Sequence, residues 1–140
     1  MVTGFEPIFR GKNLNTTLEI EDGIEYLCDV DKMERVFDNL FKNIVNYSYP
    51  DTAIVICLHR CETDRIELIT TNHGKTIPKE MIAHIFDQFF RMDSSRNSDT
   101  GGSGLGLAVT KEIISLHGGT IRCESENEQI SFRITLPLNL

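Results

Sequence analysis

The sequence Thr100-Gly101-Gly102-Ser103-Gly104-Leu105-Gly106-Leu107 places a glycine at alternate positions directly before an amphipathic run. Because Gly102, Gly104 and Gly106 carry no Cβ, a ligand can lie directly against the backbone there. Apolar side chains then recur at helical spacing up to His117-Gly118-Gly119, which is a C-terminal helix signal. The free N–H groups and positive dipole at the start of such a helix suit a phosphate, and a glycine-rich turn that only caps the helix is the alternative.

Two well-known glycine motifs do not fit this stretch. A P-loop requires Gly-Lys-Ser/Thr at its end, and no such sequence follows. A dinucleotide-binding fingerprint requires a different spacing for its third glycine and an apolar strand before the turn, whereas residues 91–100 are polar. The stretch therefore does not indicate either of these two nucleotide-binding folds.

The composition is that of one ordinary globular domain. The 140 residues are 40% hydrophobic and 25% charged, which is enough for a full core, and the apolar runs are too short to span a membrane. The net charge of −7 disfavours a nucleic-acid partner. No signal peptide is visible, and residues 1–4 are compatible with a cloning scar. We expect buried, reduced thiols and no zinc site, because no C-x-x-C pair occurs among Cys28, Cys57, Cys61 and Cys123.

Apolar periodicity predicts a two-layer α/β sandwich, in which a mixed, mostly antiparallel sheet of about five strands carries three helices on one face. A hairpin is expected for residues 13–20 and 24–30, because Asp22-Gly23 separates two alternating runs. Asp31, with Glu34 three residues later, is expected to cap the first helix. The remaining elements are predicted as strands at 53–58, 65–71, 120–124 and 130–136, a short helix at 78–86, a flexible lid at 89–103 and a helix from residue 104.

Three asparagines line one flank of the first predicted helix. Asn39, Asn43 and Asn46 fall within a sector of about 60° when each residue advances by about 100°, and Tyr47 borders this sector on its apolar side. Asparagine costs roughly 0.7 kcal/mol relative to alanine inside a helix, so three on one flank suggest a role. Their side-chain oxygens can ligate Mg²⁺ beside phosphates without repelling an anionic nucleotide. The alternative is a polar rim that binds neighbouring loops.

Four motifs follow one another at particular gaps: Asn39-x-x-x-Asn43, Asn72-His73-Gly74-Lys75-Thr76-Ile77-Pro78, Phe86-x-x-Phe89-Phe90-Arg91 and the glycine stretch at 100–107. In this arrangement the chain resembles the ATP-binding catalytic domain of sensor histidine kinases, in the superfamily that includes the ATPase domains of type II topoisomerases, Hsp90 and MutL. Residues 72–80 and 93–96 are most similar to the vancomycin-resistance sensor kinases. The resemblance implies a single domain with the Bergerat ATP-binding fold over residues 1–140, and ATP and Mg²⁺ as its ligands.

The resemblance assigns roles on the first helix. Asn43 would be the Mg²⁺ ligand, and Asn46 stands where the family usually aims a lysine at the phosphates. Asn39 stands where hydrolysing members have a glutamate that activates water. Because an amide cannot act as a general base, the resemblance implies phosphoryl transfer rather than ATP hydrolysis. The charge of the missing lysine is left to other cations, which are Lys42, Lys75, Arg91 and Arg96.

The resemblance also assigns roles in the loops. Asn72 stands at a usual aspartate and would accept a hydrogen bond from the adenine amino group without charge assistance. Thr76 replaces a usual glycine, so its hydroxyl is a candidate partner for the base. Phe86, Phe89 and Phe90 would dock the lid or the acceptor helices, unless they are plain core aromatics. The implied nucleotide-binding set is Asn43, Asn46, Tyr47, Asn72, Gly74, Thr76, Ile77, Arg96, Gly102, Ser103, Gly104, Leu105 and Gly106, with Asn39 and Arg91 at the catalytic centre.

The acceptor histidine is expected to lie outside this chain. His59, His73, His84 and His117 do not occupy the helical setting in which such kinases are phosphorylated, so structural or surface roles are expected, with His73 nearest the nucleotide. The implied partners are a histidine-bearing dimerisation domain of the same parent protein and, indirectly, a response regulator. The chain would be a monomeric cytoplasmic domain of a membrane-anchored sensor. The alternatives are a stand-alone ATPase or serine kinase of the superfamily and a degenerate pocket kept for partner docking.

Overall fold

A computed structural model of the chain describes residues 12–62, 64–90 and 106–138. The described strands form one five-stranded sheet in the order β1-β2-β3-β5-β4. β1 pairs with β2 in parallel, and the other three pairings are antiparallel, so the predicted mixed, mostly antiparallel sheet is confirmed. The elements are β1 (Asn15–Ile20), α1 (Val30–Tyr47), β2 (Ala53–Cys61), β3 (Arg65–His73), α2 (Lys79–Ile82), α3 (Gly106–Leu116), β4 (Thr120–Glu126) and β5 (Gln129–Pro137).

The core lies on one face of the sheet. Alternate residues of the interior strands are buried, such as Ile54 and Ile56 on β2 and Phe132 on β5, while their neighbours along the strand are half-buried. α1 buries a stripe of six apolar residues against this face, and α3 packs beside α1. The rings of Phe86, just after α2, and Phe132 pack edge to face, with their centroids 6.4 Å apart. The two-layer α/β sandwich predicted from the sequence is therefore confirmed.

The predicted hairpin of residues 13–20 and 24–30 is wrong. β1 instead pairs in parallel with β2, from Asn15 opposite Ala53 to Ile20 opposite Leu58. Residues 24–29 form no strand, yet Ile24, Tyr26 and Cys28 pack against the core, which explains the alternating pattern. The turn at Asp22-Gly23 exists, but the guanidinium of Arg60 on β2 holds it by donating to the carbonyl of Gly23 at 2.7 Å.

The predicted cap of the first helix is also wrong by two residues. α1 begins at Val30, and the side chain of Asp29 accepts from the backbone N–H of Lys32 at 3.1 Å. Asp31 lies in the first turn, where a carboxylate still complements the helix dipole. The N-terminal end is held further by His117 at the end of α3, whose Nε2 accepts from the N–H of Asp29 at 3.3 Å.

The β4–β5 connection is a tight turn, and it matters for the site. Asn127 and Glu128 both have positive φ, 52° and 61°, which is the conformation of a tight two-residue hairpin turn. The helix predicted at 78–86 is shorter in the structure, since α2 spans only Lys79–Ile82 and turns follow it.

The four thiols are free, but their burial differs from the expectation. Cys123 is buried, and burial raises the pKa of its thiol to about 12, so it stays protonated and unreactive at neutral pH. Cys28, Cys57 and Cys61 are only half-buried, because they lie at the margins of the core and not inside it. In the part of the chain that the structure describes, no helix is both long and apolar enough to cross a membrane.

Candidate functional site

Three polar or aromatic residues form a line along α1. Asn39, Asn43 and Tyr47 are four residues apart, so each lies one turn further along the same side of the helix. At one end of this line, Asn39 Nδ2 donates to the carbonyl of Gly106 at 3.3 Å. At the other end, Tyr47 lines a pocket. Asn43, which is half-buried, therefore lies between the start of α3 and that pocket.

The start of α3 completes one end of the site. The helix begins at Gly106, so the positive end of its dipole lies beside Asn39. The carbonyl of Gly106 also accepts from the Thr110 hydroxyl at 2.8 Å, and this residue is buried. The Asn39 bond thus holds the first turn of α3 against α1 and the Thr110 bond braces that turn from within α3, so an anion bound here would meet a preformed helix end.

The pocket at the other end has a volume of about 290 Å³. Tyr47, Ile77 and Ile130 supply apolar walls, and Lys75 supplies a positive charge. This combination of apolar walls and a few polar groups is typical of small-molecule sites. The full lining is Tyr47, Lys75, Thr76, Ile77, Pro78, Met81 and Ile130.

Asn72 is a buried amide beside this pocket. It lies on β3 directly opposite Ile130 of β5, which lines the pocket, and it is only 1% exposed. Its Nδ2 donates to the hydroxyl of Ser48 at 2.9 Å, whereas its Oδ1 has no partner among the described residues. An unpaired buried acceptor is costly, roughly 1–3 kcal/mol, so a ligand that donates a hydrogen bond here is favoured.

The loop after β3 is held by the β4–β5 turn. Glu128 accepts from the N–H of Gly74 at 3.0 Å and donates its own N–H to the Thr76 hydroxyl at 2.7 Å. Ser125 holds the next residue, because its hydroxyl accepts from the N–H of Ile77 at 2.9 Å. Tyr49 donates to the Glu128 carboxylate at 3.2 Å, and desolvation followed by the Glu128 charge raises the pKa of this tyrosine. The Thr76 oxygen therefore accepts from the protein, while its O–H remains available to donate to a ligand.

The candidate cations are not equivalent. The ammonium group of Lys42 lies 3.0 Å from the carboxylate of Asp38, and both side chains are exposed. This ion pair keeps the Lys42 charge on the outer face of α1. Lys75 lies in the pocket lining. Asn46 is exposed at the end of α1, where the lysine of the family pattern would be. Several predicted site residues lie outside the described residues, namely Arg91, Arg96, Gly102, Ser103, Gly104 and Leu105.

The three phenylalanines divide between the core and the surface. Phe86 packs on Phe132, and the ammonium group of Lys111 lies 5.7 Å from the centre of its ring. Phe90 is half-buried. Phe89 is 68% exposed and has a φ of 65°, an uncommon conformation for an aromatic residue. Core packing therefore accounts for Phe86, whereas Phe89 is the member that a partner could reach.

Three of the histidines, His59, His84 and His117, bond to other residues through their side chains. The Nδ1 atom of His117 bonds to the Ile113 carbonyl at 2.9 Å while its Nε2 accepts from Asp29. His59 pairs with Glu67 at 3.1 Å, and His84 pairs with Asp87 at 2.8 Å. His73 contributes its backbone carbonyl to the N–H of Tyr49.

Sequence reasoning missed the residues that support this site. Ser48 bonds to Asn72 on β3, and Ser125 and Glu128 bond to the loop that follows β3. None of these three residues belongs to a glycine-rich or asparagine motif. Ser48 could have been found from its place, because a serine directly after a long amphipathic helix often satisfies a terminal backbone group. Ser125 and Glu128 could not, since their role depends on where the last hairpin folds back.

The chain belongs to the family of histidine kinase-, DNA gyrase B- and HSP90-like ATPases, whose model matches residues 28–140. Among named relatives, it is 47% identical over 133 residues to the sensor protein VanSC of Enterococcus gallinarum and 39% identical over 137 residues to the sensor protein VanS of Enterococcus faecium. These alignments cover 95% and 98% of this chain but 36% and 35% of the relatives, so the chain spans about a third of their length. The predicted similarity to vancomycin-resistance sensors is confirmed.

Solved structures show the same fold. The mycobacterial sensor histidine kinase MprB is 25% identical, with a TM-score of 0.84, over 97% of this chain and 91% of that one. The catalytic domain of the histidine kinase ThkA is also 25% identical, with a TM-score of 0.83, over 97% of this chain and 86% of that one. The sequence-based assignment to the histidine kinase ATPase fold is therefore confirmed.

Proposed function

We propose that this chain binds Mg-ATP and donates the γ-phosphoryl group to a histidine on a separate dimerisation domain of its parent protein. The observation that carries the proposal is the unpaired Oδ1 of Asn72, buried beside a pocket of about 290 Å³ at one end of the Asn39–Asn43–Tyr47 line. The adenine amino group is a donor of the kind that this acceptor lacks. The ring would rest between the apolar walls, and the phosphates would extend along α1 towards Gly106.

The residues along α1 also fit a magnesium ion. The amide of Asn43 offers a hard oxygen ligand on the route from the pocket to the start of α3. In the described ranges, no cluster of three or more His, Cys, Asp and Glu is positioned to hold a metal. A cation here would take the Asn43 oxygen and draw its other ligands from phosphate and water, as Mg²⁺ commonly does. When bound, Mg²⁺ supplies positive charge that offsets the negative charge of the phosphates.

The site is suited to bind ATP without catalysing its hydrolysis. Asn39 has no basic site for a water proton, and its Nδ2 is already bonded to Gly106. The amide therefore serves to position α3 against α1. An incoming imidazole nitrogen needs no such base for attack, because its lone pair forms the new N–P bond while the bond from the γ-phosphorus to the bridging oxygen breaks and ADP leaves. The chain's part is to orient the phosphates for that in-line displacement.

The partner must reach this end of the molecule. Exposed Phe89 follows the helical turn after the pocket loop, and its strained backbone keeps an aromatic ring at the surface. We include it in the surface that meets the acceptor domain, since aromatic residues are enriched where proteins bind one another. The parent protein would be a membrane-anchored sensor that passes its phosphoryl group to a response regulator, with this domain monomeric in the cytoplasm.

A phosphoryl-transfer assay tests the proposal. The purified chain is incubated with radiolabelled Mg-ATP, either alone or with a separately purified dimerisation-and-acceptor domain from the sensor protein VanSC. We expect label on the acceptor domain only when both are present, and none on His59, His73, His84 or His117 of this chain. Replacing the acceptor histidine by glutamine in the partner is the control. Phosphate release without transfer would support an ATPase instead, and absence of nucleotide binding would support a docking module.

A further inference from the structure

A series of hydrogen bonds fixes the orientation of the Asn72 side-chain amide, that is, which of Nδ2 and Oδ1 faces Ser48. Asn72 Nδ2 donates to Ser48 Oγ at 2.9 Å, and Ser48 Oγ lies 2.6 Å from the carbonyl of Ile44 on α1. Both side chains are buried, with Ser48 4% and Asn72 1% exposed. Water therefore cannot readily replace either bond.

The direction of these bonds follows from the end of α1. In a continuing helix, the carbonyl of Ile44 would accept from the backbone N–H of Ser48. That N–H turns instead to the carbonyl of Val45, at 3.4 Å, because Ser48 ends the helix in an extended conformation. The Ser48 hydroxyl supplies the replacement hydrogen to Ile44, so its oxygen is left as an acceptor. Only the NH₂ end of the Asn72 amide can satisfy it, which leaves Oδ1 as the buried end without a partner among the described residues.

We propose that Ser48 is a positioning residue that selects 6-amino purines over 6-oxo purines by fixing the orientation of Asn72. This inference rests on the proposed function, because it requires the base to lie against Asn72. With Nδ2 held by Ser48, the end of the amide left for the base is Oδ1, an acceptor for the amino group of adenine. A 6-oxo purine such as hypoxanthine presents its own acceptor at that point, and two acceptors facing each other are unfavourable.

The dependence on Ser48 arises only because residue 72 is an asparagine. A carboxylate presents an oxygen whichever way it is rotated, so an aspartate would need no neighbour to choose its orientation. An asparagine presents an acceptor in one orientation and a donor in the other. Selectivity in this chain therefore depends on the hydroxyl of a residue that does not itself face the base.

Paired affinities test the inference. We would titrate Mg-ADP and Mg-IDP, whose bases differ in the 6-amino or 6-oxo group and in the hydrogen that the 6-oxo base carries on N1, into the wild-type chain and into Ser48→Ala by calorimetry. Ser131→Ala is the matched control, because Ser131 is also bonded through its hydroxyl, to Thr71 at 3.2 Å, but lies on the opposite face of the sheet. Ser48→Thr retains the hydroxyl and should restore the wild-type ratio.

We expect the wild-type chain and Ser131→Ala to prefer ADP by at least about tenfold, and Ser48→Ala to lose most of that ratio through weaker ADP and tighter IDP binding. An unchanged ratio in a folded Ser48→Ala variant would overturn the inference while leaving nucleotide binding intact. No binding of either nucleotide by the wild-type chain would overturn the proposed function itself. If Ser48→Ala does not fold, NMR decides: the Asn72 NH₂ protons of the wild-type chain should stay protected from exchange with and without ADP, and fast exchange would contradict the proposal.

Discussion

Asn72→Ala should reduce the affinity for adenine nucleotides by roughly 100-fold, below detection in an ordinary calorimetric titration. The substitution removes the Oδ1 that we expect to accept from the base, whereas the loss of the donor to Ser48 destabilises the free and the bound protein alike. The loss of a buried hydrogen bond to the ligand costs on the order of 1–3 kcal/mol, and about 1.4 kcal/mol corresponds to a factor of ten in affinity. Calorimetry with a non-hydrolysable ATP analogue and Mg²⁺ is the measurement.

The control for this experiment is Thr70→Ala. Thr70 lies on the same strand and face as Asn72, is equally buried, and has no partner for its hydroxyl among the described residues. Its removal should therefore leave nucleotide affinity within about twofold of wild type. A folded Asn72→Ala variant that binds as tightly as the wild-type chain would show that the base does not use this acceptor.

The same position offers a substitution of opposite sign. Asn72→Asp would keep an acceptor toward the base and add charge assistance, so nucleotide binding should tighten. The free protein should become less stable, because a carboxylate at a 1% exposed position loses its hydration and meets an oxygen of Ser48 that already donates elsewhere.

Gly74→Ala should lower the free energy of unfolding by about 2–4 kcal/mol. A Cβ placed on Gly74 would lie 2.0 Å from the backbone oxygen of Tyr47 and 3.2 Å from Ile130. The Tyr47 carbonyl belongs to the last turn of α1 and cannot rotate away as a flexible side chain could. The loop must therefore move, which would also break the N–H bond from Gly74 to Glu128. Urea unfolding of the nucleotide-free protein measures the loss.

Gly106→Ala is the matched control, because it makes the same chemical change at the other end of the site. Among the residues that the structure describes, the atoms nearest to a Cβ there belong to Asn39, at 3.7 Å, which is ordinary contact. Alanine also suits a helix better than glycine, so stability should stay unchanged or rise by up to about 1 kcal/mol. Equal urea midpoints for Gly74→Ala and the wild-type chain would show that the loop is not packed against α1 as described.

The parts of the fold that depend on strong local patterns could be predicted from sequence. The apolar stripe of α1 and the alternation in β2, β3 and β5 each identify one buried face, and one buried face per element leads to a two-layer sandwich. Residues 24–29 could not be assigned correctly, because Ile24, Tyr26 and Cys28 alternate as a strand does but have no ladder beside them. Periodicity reports burial, whereas strand pairing depends on the rest of the sheet.

The candidate site could be proposed from sequence where a residue type is unusual in its place, and not where a residue only supports its neighbours. Asparagine is costly inside a helix, so the sequence alone marks Asn39 and Asn43 as unusual. The structure then places Asn39 against the carbonyl of Gly106. Thr76 is predicted to offer its hydroxyl to the base, and the structure adds that this oxygen accepts from the N–H of Glu128, 52 residues away. No local pattern contains a contact of that separation, and the same holds for the pairing of Ser48 with Asn72.

The central claim is that an adenine nucleotide lies between the pocket loop and α1 and reaches the start of α3, and NMR tests it most directly. Mg-AMPPNP is titrated into the uniformly ¹⁵N-labelled chain, with the β2–β3 turn near Glu62 as a distant internal reference. We expect millimolar nucleotide or less to shift the signals of Asn43, Thr76 and Gly106 together, with little change at the turn. A folded chain whose spectrum stays unchanged at millimolar nucleotide, or shifts only away from these three residues, would contradict the account.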